Sequence, residues 1–129
     1  MNRNLSTINV VMIVDDDEPI RDALESILKA AGFRVGKCSS AEEFLASPDR
    51  QRASCLILDV RLPGLSGIQL QHLLRDTGDA VPIVFLTAHG DAAIHEVVMK
   101  AGAMDFLTKP VRRDVLLKKV RSAETMTPS

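Results

Sequence analysis

Short apolar segments recur five times along the chain, each bounded by polar or turn-forming residues. Val and Ile are frequent in them. Uninterrupted apolar runs of this length are typical of strands that are buried on both faces of a sheet. The pattern therefore predicts five strands, at residues 8–14, 33–37, 55–58, 83–86 and 104–107.

Apolar residues between these runs recur with helical spacing. The first predicted helix follows Asp17, a favourable N-cap residue, has Pro19 in its first turn and stops at Gly32. Its apolar stripe consists of Ile20, Ala23, Leu24, Ile27, Leu28 and Ala31. Ser40 and Glu43 have the spacing of a capping box and predict the start of a second helix.

Three more helices complete the pattern. The third follows Gly67 and stops near Gly78, and the fourth begins after Asp91 and ends at Gly102. The fifth spans about residues 112–123. We expect the fourth to point Ile94, Val97, Val98 and Ala101 inward, and the fifth to point Val115, Leu116 and Val120 inward.

Strand and helix thus alternate five times. Such alternation predicts an α/β fold with a parallel sheet, helices on both faces and right-handed crossovers. Five units are too few for an eight-stranded barrel. We therefore predict an open, doubly wound five-stranded parallel sheet of flavodoxin type, (βα)5, with strand order 2-1-3-4-5.

Length and composition indicate a single globular domain. The chain has 129 residues, 16 basic and 17 acidic, which suits one globular domain with no bulk attraction to nucleic acid or membrane. Cys38 and Cys55 form no metal-ligand pattern and are predicted to be reduced thiols. With no signal peptide or membrane span recognised, we expect a cytoplasmic protein with a core domain at 8–123 and tails at 1–7 and 124–129.

Chemically useful side chains stand where the predicted strands end. Asp15, Asp16 and Asp17 follow the first strand, Asp59 follows the third, Thr87 the fourth and Lys109 the fifth. In a sheet of this order, those ends are neighbours at the edge where ligands bind. We therefore expect the side chains to converge.

That set of groups indicates divalent-cation and phosphoryl chemistry. Clustered carboxylates repel one another unless a cation joins them, and hard oxygen ligands suit Mg²⁺. A carboxylate can attack phosphorus, and a metal ion, a lysine and a hydroxyl can stabilise the transferred group. Each residue alone has an ordinary interpretation, such as an N-cap or a solvated lysine. The convergence of all of them favours function.

At these residues the chain resembles the response-regulator receiver family. The similarity covers about residues 8–123 and rests on four segments in order: Val14-Asp15-Asp16-Asp17-Glu18-Pro19, 58–67 around Asp59, 86–90 around Thr87, and 100–110 ending in Lys109-Pro110. The region from 89 to 106 looks most similar to receivers of nitrogen-fixation-type transcriptional regulators.

The resemblance implies a role for each matching residue. Asp59 would be the phosphoacceptor, and Mg²⁺ would be bound by Asp16, Asp59 and the backbone carbonyl of Arg61, with Asp15 acting through water. Thr87 would be a switch hydroxyl, Lys109 the cation that pairs with the phosphoryl group, and Phe106 the switch aromatic residue. A cis Lys109–Pro110 peptide bond is also typical of the family.

The resemblance also implies partners. A sensor histidine kinase would supply the phosphoryl group, and phosphorylation would alter the surface of the fourth helix, fifth strand and fifth helix. That surface would control homodimerisation or a C-terminal DNA-binding output domain that is not in this chain. The domain would be no enzyme beyond its own phosphotransfer and dephosphorylation.

Three other interpretations remain open. A haloacid-dehalogenase-type enzyme would use Asp15 as its nucleophile but leaves Asp59 unexplained. A flavodoxin-like module would need a phosphate-binding loop where this chain has three aspartates. A degenerate receiver that acts only as an interaction module is disfavoured by the complete set of acids, Thr87 and Lys109.

Overall fold

The computed structural model describes residues 10–88 and 91–126, in which strands and helices alternate as predicted. The elements are β1 (Val10–Val14), α1 (Glu18–Ala30), β2 (Arg34–Cys38), α2 (Ala41–Ala46), a 3₁₀ helix (Pro48–Arg52), β3 (Ala53–Asp59), α3 (Gly67–Asp76), β4 (Ile83–Thr87), α4 (Ala92–Lys100), β5 (Asp105–Thr108) and α5 (Arg113–Met126). The 3₁₀ helix was not predicted. The predicted tail at 1–7 and the first two residues of the predicted first strand lie outside the described residues.

The five strands form one parallel sheet in the order β2-β1-β3-β4-β5, which confirms the predicted fold class. β1 lies between β2 and β3, with Val11 paired to Val35 on one side and to Cys55 on the other. The order reverses beside β1, and in sheets of this kind ligands bind outside the carboxyl ends of the strands at such a reversal, here those of β1 and β3.

Alternating side chains of the strands build two cores, one on each face of the sheet. Val10, Met12 and Val14 of β1 pack with Phe44 of α2 and with residues of α3 and α4. Val11 and Ile13 face the opposite way and pack with residues of α1 and α5. β3 is buried along almost its whole length because helices cover both of its faces.

Two predictions about burial were wrong. β2 and β5 are not buried on both faces, and Arg34 is exposed, because these strands lie at the edges of the sheet. Val97 points outward with 46% of its surface exposed, and Met99 is also exposed. On α4 the fully buried contact with the sheet is made by Val98.

Helix caps agree with the sequence only in part. Asp17 caps α1 by accepting a hydrogen bond from the Ile20 amide, as predicted. Ser40 caps α2, but the Glu43 carboxylate accepts from the Ser39 amide, one residue before the cap. The Asp91 side chain makes no capping hydrogen bond to α4, although the Asp91 carbonyl accepts one from the His95 amide.

Both cysteines are free, as predicted, and both are buried. Burial raises the pKa of the Cys38 thiol to about 11 and that of Cys55 to about 12. In the part of the chain that the structure describes, no helix combines the length and apolar character needed to cross a bilayer. The Lys109–Pro110 peptide bond is cis, as the resemblance implied.

Candidate functional site

Four strands deliver polar side chains to one edge of the sheet. Asp15 directly follows β1, Asp59 is the last residue of β3, Thr87 is the last residue of β4, and Lys109 directly follows β5. Because β1, β3, β4 and β5 are consecutive in the sheet, these residues meet at its carboxyl edge. The expected convergence is present.

Three carboxylates form the acidic part of the site. Asp15, Asp16 and Asp59 each offer an oxygen, and these oxygens lie within 4.8 Å of one another. Asp15 is fully buried, Asp59 is 6% exposed, and Asp16 is open to solvent. An all-oxygen set with one solvent-facing member fits Mg²⁺, which prefers oxygen ligands and retains water.

Burial disfavours the charged form of Asp15. Its Oδ1 accepts a hydrogen bond from the Asp17 amide at 2.8 Å, whereas its buried Oδ2 has no well-formed hydrogen bond and only a 3.2 Å charge contact with Lys109 Nζ. Burial, and then the negative charge of Asp59, raise the pKa of the Asp15 carboxyl, although the Asp17 amide and Lys109 oppose that change. A buried oxygen short of partners is what a cation-binding group shows before a cation joins it.

Lys109 is the positive part of the site. Its Nζ donates a hydrogen bond to Asp59 Oδ2 at 2.9 Å, and its backbone amide donates to the Thr87 carbonyl. Burial works to lower the pKa of Lys109, but the hydrogen bond and charge of Asp59, together with those of Asp15, raise it above its ordinary value. Lys109 therefore stays charged beside Asp59.

The loop after β3 holds Asp59 by its backbone. The Arg61 amide donates a hydrogen bond to Asp59 Oδ1 at 3.0 Å, while the Arg61 side chain extends outward to Asp91 at 3.4 Å. A Cβ at Gly67 would collide with the Asp59 carbonyl oxygen, so the start of α3 can approach only because that residue is glycine. Ser66 and Gln69 complete a capping box there.

Glu42 of α2 also holds the loop that follows β3, through a hydrogen bond to its backbone. Its carboxylate accepts a hydrogen bond from the Leu65 amide at 2.9 Å, next to Gly64, whose φ is +74°. That hydrogen bond lowers the pKa of the Glu42 carboxyl. Sequence reasoning missed both the capping box and this contact. The spacing of Ser66 and Gln69 is a capping-box signal that could have revealed the first, but no pattern in the sequence marks Glu42.

Thr87 and Phe106 are joined by a residue that sequence reasoning missed. Thr87 is 1% exposed, and its Oγ1 lies 2.8 Å from His95 Nε2 on α4. The His95 ring stacks on Phe106 of β5, with ring centroids 3.7 Å apart and planes 17° apart. A single histidine on an amphipathic helix is ordinarily a solvated residue, so the sequence offered no signal for it.

Comparison with known proteins agrees with this geometry. The family profile described as the response regulator receiver domain matches residues 11–121. The chain is 42% identical to the response regulator protein TodT of Pseudomonas putida over 120 residues, covering 93% of this chain and 53% of TodT. It is 40% identical to the transcriptional regulatory protein FixJ of Rhizobium meliloti over 113 residues, covering 88% of this chain and 55% of FixJ.

Solved structures agree as well. The crystal structure of FixJ-N is 36% identical, covers 100% of this chain and 99% of its own, and has a TM-score of 0.86. The response regulator StyR is 42% identical, with a TM-score of 0.83, covering 92% of this chain and 60% of its own. The chain spans about half the length of the curated relatives it matches. The haloacid-dehalogenase and flavodoxin interpretations are thereby excluded, and this chain belongs to the response regulator receiver domain family.

Proposed function

We propose that this chain accepts a phosphoryl group on Asp59 from a sensor histidine kinase. The observation that carries the proposal is the arrangement around Asp59, whose carboxylate is nearly buried, hydrogen-bonded to Lys109, and within 4.8 Å of the oxygens of Asp15 and Asp16. A nucleophile beside a fixed cation and a candidate metal site is suited to phosphoryl transfer.

The roles follow from the geometry. An Asp59 oxygen attacks phosphorus as the bond from phosphorus to the kinase histidine nitrogen breaks, so an acyl phosphate forms on Asp59. Lys109 Nζ, already 2.9 Å from Asp59 Oδ2, is placed to pair with the oxygens of the incoming group. The Arg61 amide holds the other carboxylate oxygen in place.

Mg²⁺ is the cofactor we propose. Asp15, Asp16, Asp59 and the backbone carbonyl of Arg61 would hold it, and it would neutralise charge on the phosphoryl oxygens. The underbonded Oδ2 of Asp15 supports this assignment. We further propose that the domain catalyses only its own phosphotransfer and dephosphorylation.

The output is the second part of the proposal. Thr87 would turn towards the phosphoryl group and Phe106 would move with it, which changes the surface of α4, β5 and α5. The relatives are named as response regulators or transcriptional regulators and are about twice the length matched here, which supports a DNA-binding output domain as the partner. We further propose that the protein acts in the cytoplasm. Exposed Val97 and Met99 on α4 support self-association through the same surface.

The decisive experiment is phosphorylation by acetyl phosphate with Mg²⁺. Intact mass should rise by one phosphoryl group, peptide mapping should place it on Asp59, and Asp59→Asn should abolish the rise. Asp76→Asn, at the exposed end of α3, is the matched control and should label as the parent does. A complete acidic set that takes up no phosphoryl group would instead identify a degenerate receiver, and labelling at Asp15 would refute the assignment of the nucleophile.

A further inference from the structure

His95 connects the two residues proposed to move in the switch. Its Nε2 lies 2.8 Å from the Thr87 hydroxyl, and its ring stacks on Phe106 at 3.7 Å. The ring tautomer decides whether nitrogen or hydroxyl is the donor. One α4 side chain therefore holds a β4 hydroxyl and a β5 ring at the same time.

The contacts continue to α5. Lys119 Nζ lies 5.8 Å from the centre of the Phe106 ring and forms a 2.7 Å ion pair with Asp105. A continuous path thus runs from Thr87, at the edge that carries Asp59, through His95 and Phe106 to Lys119. It joins β4 to α4, β5 and α5, and the last three are the elements of the proposed output surface.

The Thr87 hydroxyl cannot hydrogen-bond to His95 and to a phosphoryl group on Asp59 at the same time. The hydroxyl also donates a hydrogen bond to the Leu107 carbonyl at 3.4 Å, so these two hydrogen bonds tie it to α4 and β5 rather than to Asp59 of β3. Turning towards Asp59 takes a different side-chain rotamer, which moves Oγ1 off the His95 nitrogen. His95 cannot follow easily while its ring is stacked on Phe106.

We propose that His95 is a positioning residue that latches Thr87 and Phe106 in the inactive arrangement and makes them move together. This inference rests on the proposed function of Asp59. The hydrogen bond and the stacked ring both favour the inactive arrangement, so phosphorylation must break the first and release the second. The two contacts of His95 stabilise the inactive arrangement. Part of the free energy of phosphorylation, or of binding a phosphoryl analogue at Asp59, is therefore needed to break them.

Three substitutions separate the two contacts. His95→Phe keeps an aromatic ring for Phe106 but removes the hydrogen bond to Thr87, whereas His95→Gln keeps a polar group for Thr87 but removes the stacked ring. His95→Ala removes both. The matched control is His72→Phe, a histidine on the exposed face of α3, far along the chain from these contacts.

The readout is binding of beryllium fluoride, a noncovalent analogue of a phosphoryl group, by calorimetry with Mg²⁺ present. Losing one hydrogen bond that favours the inactive arrangement should tighten binding about two- to tenfold, because the apparent affinity rises with the population of the competent state. His95→Ala should bind most tightly, His95→Phe and His95→Gln should lie between it and the parent, and His72→Phe should match the parent. A residue that only supported the fold would weaken binding when replaced.

A second readout follows Thr87 itself. Its methyl resonance in the unliganded His95→Ala protein should shift part of the way towards its position in the liganded parent. If the parent and His72→Phe bind the analogue and Asp59→Asn does not, equal or weaker binding by His95→Ala overturns the latch alone. If the parent binds no analogue and takes up no phosphoryl group, the proposed function fails and the latch fails with it.

Discussion

Lys109 Nζ lies 2.9 Å from Asp59 Oδ2, although β4 separates the two strands that carry these residues. The long lysine side chain crosses the end of β4 and also approaches Asp15 at 3.2 Å. One positive charge therefore compensates two buried carboxylates. The site without metal depends on Lys109 for its stability.

Replacing Lys109 should expose that dependence. Lys109→Met should lower the free energy of unfolding without Mg²⁺ by about 1–2 kcal/mol, a value reduced from that of a fully buried pair because the lysine is partly exposed. Adding Asp59→Asn should restore most of the loss, since it removes one uncompensated charge. Urea denaturation of the single and double variants measures both effects. A Lys109→Met protein as stable as the parent would contradict the role of Lys109 as the compensating charge.

Mg²⁺ should stabilise the folded chain. It relieves repulsion among Asp15, Asp16 and Asp59, and a free concentration one hundred times the dissociation constant adds about 2.7 kcal/mol. Asp16→Ala should remove most of this gain and can raise stability in metal-free buffer, because it deletes one like charge. Thermal melting with and without Mg²⁺ tests this, with Asp17→Asn as a control that keeps an N-cap on α1. A melting temperature indifferent to Mg²⁺ in the parent would refute the metal site.

Gly67→Ala should destabilise the fold severely. Its Cβ would meet the carbonyl oxygen of Asp59, a backbone atom that cannot move aside without disturbing β3. We expect a loss of about 2–4 kcal/mol. Gly78→Ala is the control, because that position has open space and only a positive φ of 80°, which costs about 1–2 kcal/mol for a residue with a side chain. Equal losses in denaturant unfolding would show that α3 can shift away from Asp59.

Glu42 should make stability depend on pH. Its carboxyl pKa is lowered from an ordinary value of 4.5 by the hydrogen bond from the Leu65 amide, so the ionised form is favoured in the folded state. The stability that it contributes is present above 4.5 and is lost as the pH falls through the lowered value. The difference in stability between the parent and Glu42→Gln should therefore shrink as the pH falls below 4.5. A difference that does not vary with pH would show that the ionised form gains nothing from Leu65.

Phosphorylation should strengthen self-association, and Thr87 should be required for the response. We expect Thr87→Ala to accept a phosphoryl group at Asp59 but to dimerise less than the parent. Without the hydroxyl, the phosphoryl group is no longer coupled to α4 and β5. Thr108→Ala is a suitable control, since Thr108 is paired with Thr87 on β5. Sedimentation of phosphorylated and unphosphorylated forms measures the effect. Full dimerisation of Thr87→Ala would refute the coupling, and a monomer in every state would remove dimerisation as the output.

Strand order and the place of the site were legible in the sequence. Buried strands of a parallel sheet need continuous apolar runs, and the residue that ends each run must lie at the carboxyl edge. Asp15, Asp59, Thr87 and Lys109 could therefore be grouped without coordinates. The resemblance then assigned their roles, which stay predictions until phosphorylation is measured, as do the boundaries of the domain at 8–123.

Tertiary structure decided how each helix is oriented on the sheet, which the periodic pattern of apolar residues does not determine. Periodicity marks an apolar stripe, but the sheet decides which edge of that stripe it covers, so Val98 became buried while Val97 faces outward. The orientation of α4 that buries Val98 also places His95 against Thr87 and Phe106. No local sequence pattern marks these contacts. The same is true of the close approach of Gly67 to Asp59. All of these contacts depend on how a helix is placed over the strands, which is set by packing of the whole core rather than by local spacing.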